Sequence, residues 1–271
     1  MSTSWMGRTR EVLPPAVGSP TCGGVRYERK YLVAAGDAER IAALLRTWMP
    51  PDGHAPGGAG SSYTVRSLYF DTPDLACYRA KVDGIARRHK LRLRAYGDQP
   101  GAPVRLELKE RSGQVYRKRR VWLSDADLAL LRDRVPLDGE PVEPGDDLVR
   151  RLRVLMERRG YAPSVLVAYE REAYTESSGD DTVRITLDRD VRARAYPVVH
   201  ELVASDGFAP VLTRSAILEV KFTDVVPLAL RQLTARFALQ RRACSKYASS
   251  VARVIGANTP PREAWVHVRG N

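Results

Sequence analysis

Arg, Lys and Glu recur at every second position in five segments of this chain. The segments are Leu91-Arg92-Leu93-Arg94-Ala95, Arg105-Leu106-Glu107-Leu108-Lys109, Lys118-Arg119-Arg120-Val121-Trp122, Arg184-Ile185-Thr186-Leu187-Asp188 and Ile217-Leu218-Glu219-Val220-Lys221. Long cations suit phosphate chemistry. A guanidinium fork takes phosphate oxygens in pairs, and an ammonium acts as a point charge. Glu107 and Glu219 stand among these cations and offer hard oxygen ligands for Mg²⁺ or Mn²⁺.

The elements that must carry these residues follow from the period. Side chains of a strand point to opposite faces in turn, so each segment has one apolar and one ionic face. In a single strand that pattern means a half-buried strand with its polar face in water. Here it recurs on strands spread from residue 26 to residue 221, and its polar members are long cations and glutamates rather than Thr, Ser and Gln. Leu91, Leu93, Leu106, Leu108, Leu218 and Val220 supply an apolar face for helices to cover. The expected fold is therefore α+β: an antiparallel β-barrel tunnel of eight or so strands, charged inside, with helices packed outside. Like charges crowded into one channel repel strongly where the effective dielectric falls. Glutamates among the cations, and an anion with a divalent ion inside, would offset this.

Composition agrees. The net charge of +12 over 271 residues favours anionic partners, although an Arg-rich background composition accounts for some of the scattered arginines. Three cysteines, Cys22, Cys77 and Cys244, form no CxxC pair and argue for a reducing compartment. Four well-separated histidines show no metal-ligand spacing. No apolar run reaches the roughly 20 residues that span a bilayer, and the N-terminus lacks a signal-peptide core, so a cytoplasmic location is expected. Aromatics are only 7%, and the basic stretches alternate with aliphatics rather than rings, against a nucleic-acid surface.

Along the chain, residues 1–24 read as a flexible leader and 256–271 as a tail, flanking one domain at 25–255. A first strand covers 26–33, and a helix capped by Asp37 runs to about Met49. The Gly57-Gly58-Ala59-Gly60 stretch precedes a strand and lacks a following Lys-Ser/Thr, so it is no phosphate loop. A strand at 63–70 leads through Asp71-Thr72-Pro73-Asp74 into a short helix near 75–81. Strands are expected at 85–96, 103–111 and 115–123, with Ser112-Gly113 as a hairpin turn. Helices at 124–134 and 147–159 follow, then strands at 164–174, 182–189, 191–196 and 215–222. A long helical region runs from Pro227 to about Val254, with Cys244-Ser245 the place where it could break.

These segments form an ordered series: Arg-Tyr-Glu-Arg-Lys-Tyr-Leu-Val at 26–33, Ser-Leu-Tyr-Phe-Asp-Thr at 67–72, Lys-Leu-Arg-Leu-Arg at 90–94, Glu-Leu-Lys at 107–109, Tyr-Glu-Arg at 169–171, Leu-Glu-Val-Lys-Phe at 218–222 and Ser-Lys-Tyr at 245–247. The series resembles the VTC domain, the polyphosphate polymerase module of the triphosphate tunnel (CYTH-like) superfamily. The resemblance implies an enzyme that moves the γ-phosphoryl group of ATP onto a growing polyphosphate chain. It implies Lys30, Arg92, Arg94, Lys109, Lys118, Arg120, Arg171 and Lys221 as phosphate-binding cations, with Tyr169 and Ser245 as further contacts. Lys246, Arg94 and Arg171 would act at the reacting phosphate, and Glu219, with Glu107, would hold Mn²⁺ or Mg²⁺. The hydrolase branch of the superfamily opens with Glu-x-Glu-x-Lys; here the strand reads Arg26-x-Glu28-x-Lys30, which favours the polymerase branch. A metal-dependent triphosphatase or cyclase, and a non-catalytic polyphosphate- or RNA-binding protein, are the alternatives.

Overall fold

The computed structural model describes residues 26–53, 62–97, 99–113, 115–132, 147–178, 181–223 and 225–256. The leader at 1–24 and all but the first residue of the tail at 256–271 lie outside the described residues, as do the Gly57–Gly60 stretch, Cys22 and His54.

Among the described residues, nine strands form one antiparallel sheet. In chain order the elements are β1 (Arg26–Ala34), α1 (Ala35–Trp48), β2 (Tyr63–Asp71), α2 (Ala76–Val82), β3 (Arg87–Tyr96), β4 (Val104–Ser112), β5 (Val115–Trp122), α3 (Asp125–Arg132), α4 (Asp147–Arg159), β6 (Ala162–Ser178), β7 (Asp181–Ala195), a 3₁₀ turn (Val199–Val203), β8 (Ala209–Pro210), β9 (Ser215–Thr223), α5 (Leu228–Arg236) and α6 (Lys246–Val254). Eight of the strands follow the order β1-β9-β7-β6-β2-β3-β4-β5, and β8 adds to β7. The sheet curls into a half-barrel with β1 and β5 at its two edges.

The alternating pattern sorts the two faces as its period requires. On the convex side, Tyr31, Val33, Ile185, Leu187, Leu218, Val220 and Phe222 pack under Ile41, Ala42 and Leu45 of α1 and Leu230 and Leu233 of α5. Leu91, Leu93, Leu106 and Leu108 belong to a second core with Leu131 of α3 and Leu148, Val149 and Leu152 of α4. The charged members of the same strands are left on the concave side. One helix takes the opposite position. α6 packs on β6, β7 and α2, and its Tyr247 lies tilted against the concave-face ring of Tyr69 at 4.7 Å between centroids.

Three local expectations are corrected. The helix after β1 starts at Ala35 with no side-chain cap, so Asp37 sits inside its first turn and pairs with Arg40 instead. The strands expected at 182–189 and 191–196 are one strand, β7, with an irregularity opposite Tyr169 where Asp190 takes φ +46°. That is a β-bulge, which bends a strand and re-aims neighbouring side chains without ending the ladder. The long C-terminal helical region is two helices; between them Arg241 bridges to Tyr31 of β1. Ser124 caps α3 as expected: its hydroxyl accepts from the Asp127 N–H, and its own N–H donates to the Asp127 carboxylate.

Candidate functional site

Positions of like parity on β1, β2, β3, β4, β5, β6, β7 and β9 face one cavity of about 1600 Å³. Lys30, Arg92, Arg94, Lys109, Lys118, Arg120, Tyr169, Arg171, Glu219, Lys221, Ser245 and Lys246 all line it. Strands distant in sequence, together with the start of α6, thus bring together every expected site residue but one.

The exception is Glu107. It is fully buried and does not line the cavity. Arg92 Nε donates to Glu107 Oε2 at 2.9 Å, Arg105 lies 2.8 Å from Oε1 and Lys118 3.5 Å from it. Burial alone would raise its pKa, but Arg92, Arg94, Lys118 and Arg105 hold the carboxyl far below the usual range. Cations crowd around its carboxylate, and it stands behind the cavity wall rather than on it with the other expected site residues. Glu107 fixes the guanidiniums that form the tunnel wall.

A second group pairs two carboxylates with two lysines. Lys30 of β1 reaches Glu28 at 2.8 Å and Glu219 of β9 at 3.2 Å. Lys221 reaches Glu219 at 2.6 Å and Glu28 at 3.8 Å. The β1–β9 register, with Lys30 opposite Glu219 and Glu28 opposite Lys221, sets this ring of alternating charge. Burial opposes ionisation of Glu219, yet Lys30, Lys221, Lys246 and Arg171 keep it well below the ordinary carboxylate range.

The third group holds the residues expected at the reacting phosphate. Arg171 of β6 donates through Nε and Nη2 to Asp188 of β7 at 2.6 and 2.8 Å. Lys246, the first residue of α6, donates to the same carboxylate. Its ammonium lies 4.6 Å from the Tyr169 ring centroid, and the Arg171 guanidinium lies 5.2 Å from it. Arg94 donates to the Ser67 and Tyr169 hydroxyls at 3.2 and 3.3 Å. Asp188 is fully buried; its pKa falls to about 2 because Arg171 and Lys246 outweigh the burial that would raise it.

Further cations line the rest of the cavity. Desolvation in the cavity, then Arg92, Lys118 and Lys221, pulls the solvent-accessible Lys109 down to about 7. Burial lowers Lys118 to about 8 against the pull of Glu107. Lys90, pushed well below its ordinary value by burial and then by Lys30 and Lys81, donates to Ser245 Oγ at 2.8 Å. The site is a preformed excess of positive charge with its polar groups aimed inward. It can hold a linear polyanion along several strands at once.

The sequence reading missed four of these contributors. Asp188 ends the alternating run of β7 at the cavity-facing parity, a signal that was visible and unused. Glu28 keeps the same parity as Lys30. Tyr69 receives a hydrogen bond from Arg92 at 2.9 Å. Asp71 accepts from the N–H groups of Cys77 and Tyr78 at 2.8 and 3.0 Å and from the Tyr247 hydroxyl, anchoring α6 beside the site. No periodicity announces that last contact.

The VTC domain family profile matches residues 25–255. The chain belongs to the VTC domain family. Among solved structures, this VTC domain is similar to a "putative adenylate cyclase" from Bacillus halodurans, with 14% identity, 80% of this chain and 92% of that chain covered, and a TM-score of 0.45. It is also similar to a chain of the Schizosaccharomyces pombe Mediator head module, with 13% identity, 79% and 90% covered, and a TM-score of 0.38. No curated protein matches it in sequence. Family and cavity together make this VTC domain a tunnel-fold protein for nucleotide or phosphate chemistry. Among the described residues no helix is long and apolar enough to cross a membrane.

The carboxylates held by Lys30 and Lys221 could take a divalent ion if phosphate oxygens completed its shell. Glu219 and Glu28 are two of the carboxylates that line the cavity, and two carboxylates plus substrate oxygens make a usual Mg²⁺ shell. Among the described residues no group of three or more His, Cys, Asp or Glu side chains could cage a metal alone.

Proposed function

We propose that this protein is an ATP-dependent polyphosphate polymerase. It transfers the γ-phosphoryl group of ATP to the terminal phosphate of a polyphosphate chain and releases ADP. The bond from Pγ to the bridging oxygen of ADP breaks as the bond from Pγ to the acceptor oxygen forms. The observation that carries this reading is the row of cations from seven strands along a single cavity, with VTC family membership behind it.

Phosphoryl transfer asks little covalent chemistry of a protein; positioning and charge neutralisation do most of the work. Arg92 and Arg94, fixed by Glu107, Tyr69, Ser67 and Tyr169, are rigid forks for non-bridging oxygens. Arg171 and Lys246, set by Asp188, present charge where the leaving and entering oxygens develop it. Lys30 and Lys221 hold Glu28 and Glu219 ionised; a bound Mg²⁺ or Mn²⁺ there would neutralise phosphate charge. Lys109, Lys118 and Arg120 extend the track for the chain.

The deciding experiment incubates purified protein with ATP and Mn²⁺ or Mg²⁺ and resolves the products. Long-chain polyphosphate with stoichiometric ADP supports the reading. Free phosphate without chain growth would make it a triphosphatase, a cyclic nucleotide a cyclase, and unchanged ATP with bound polyphosphate a binding protein.

A further inference from the structure

The cation-lined cavity continues beyond the groups just described. A second cavity, of about 520 Å³, lies at the β3–β4–β5 end and is lined by Arg87, Arg88, His89, Glu110, Arg111 and Arg117 among others. Arg88, His89, Glu110 and Arg111 also line the tunnel, so the two spaces meet at this rim. Strand parity puts Arg88 and Arg111, paired across β3 and β4, on the tunnel face with Lys90 and Lys109. Arg87 on β3 and Arg117 on β5, the latter paired with Glu110, stand on the opposite face. Positive charge therefore turns the corner from the inside of the sheet to its outside.

This rim is built to be under-neutralised. Glu110 is the one carboxylate lining the second cavity among the described residues, and it is already paired with Arg151 of α4 at 2.8 Å. Arg88 and Arg111 are steadied by donating to the carbonyls of Ile85 and Gly113 at 2.6 and 2.7 Å, which leaves further N–H groups to turn outward. Burial and then mutual repulsion with Arg111 lower the pKa of Arg88, and Lys81 nearby is lowered by burial and by both arginines. Such a cluster gains most from an anion that touches several of its members. From Arg92 to Arg88 at the rim is four residues of strand, about 13 Å, farther than three linked phosphoryl units extend.

We propose that this rim is a second binding site, for the product end of the polyphosphate chain: a linear polyanion runs out of the tunnel past Arg88 and Arg111 and onto Arg87 and Arg117. The inference deepens the polymerase reading and rests on it. Its physical consequence is that affinity rises with chain length beyond what the tunnel alone can hold, and that the enzyme keeps its chain between additions.

The test measures binding, without turnover, of labelled tripolyphosphate and of a polyphosphate several times longer, to wild type and to R87E/R117E. Both substituted side chains are exposed, and an unchanged tripolyphosphate-induced thermal shift reports an intact tunnel. Expected is long-chain binding weaker by about tenfold or more in the variant, with tripolyphosphate affected less than about twofold. With ATP, the variant should form shorter chains at an undiminished initial rate of ADP release. Equal affinity of wild type for short and long chains, or a variant that binds long chains normally, overturns the proposal. Single-stranded RNA competing as well as polyphosphate at equal charge would also overturn it, by making the rim a general polyanion surface. Absence of ADP-linked chain growth with length-dependent binding intact would instead remove the polymerase reading and leave the rim a polyphosphate site.

Discussion

At the scale of single residues, Asp188 and Glu107 carry more than their counts suggest. Each is a fully buried carboxylate encircled by cations that face the cavity. Removing one partner from a buried pair strands the other charge, at a cost of about 3–5 kcal/mol. Asp188→Asn should therefore lower stability by that order in chemical denaturation, because Arg171 and Lys246 then face each other uncompensated. Tripolyphosphate should raise the melting temperature of the variant more than that of wild type, since the ligand supplies the missing negative charge; an equal shift would contradict this placement. Glu219→Ala and Arg94→Ala are each expected to lower chain synthesis by about a hundredfold or more while circular dichroism stays native. Wild-type synthesis by both would refute the site.

Single elements set where those residues stand. α6 delivers Ser245, Lys246 and Tyr247 to the concave face, and the hydroxyl of Tyr247 on Asp71 fastens it. Tyr247→Phe should cost about 1–3 kcal/mol, the usual penalty for leaving a buried acceptor short of a donor. It should also lower kcat through Lys246 without changing tripolyphosphate affinity, which steady-state kinetics and calorimetry separate. Most of the elements were legible in the sequence. The alternating runs of β3, β4 and β9 were readable because their leucines and valines are all buried, those of β3 and β4 in one core and those of β9 in the other, and nothing else competes for that parity. The residues between α5 and α6 were harder to read: Phe237 and Leu239 pack on the convex core at helical-looking spacing, while a bridge from Arg241 to Tyr31 holds the chain extended.

For the whole molecule, the concentration of like charge makes stability depend on pH. Lys109, at about 7, and Lys118, at about 8, lie below the ordinary lysine value, so the unfolded chain binds protons that the folded, ligand-empty tunnel sheds. Stability should then rise from pH 7 to pH 10, because the unfolded state holds more protons across that window. Both ammoniums touch water inside the cavity, which keeps the slope modest. A bound polyanion restores their protons and flattens it. Thermal melts across this range, with and without tripolyphosphate, check the sign. Calorimetry at pH 8 in buffers of different ionisation heat should show net proton uptake on binding.

Sequence alone determined the alternation, and with it which side chains share a face, because a strand has a period of two wherever it lies. It also carried the family, through an ordered set of short motifs. What it left open was which faces meet. The pairing of Lys30 with Glu219, the joining of Arg171 to Lys246 through Asp188, and the burial of Glu107 away from the cavity all depend on strand register and on the curl of the sheet. Those are settled by contacts between residues up to two hundred positions apart, and no local pattern records them.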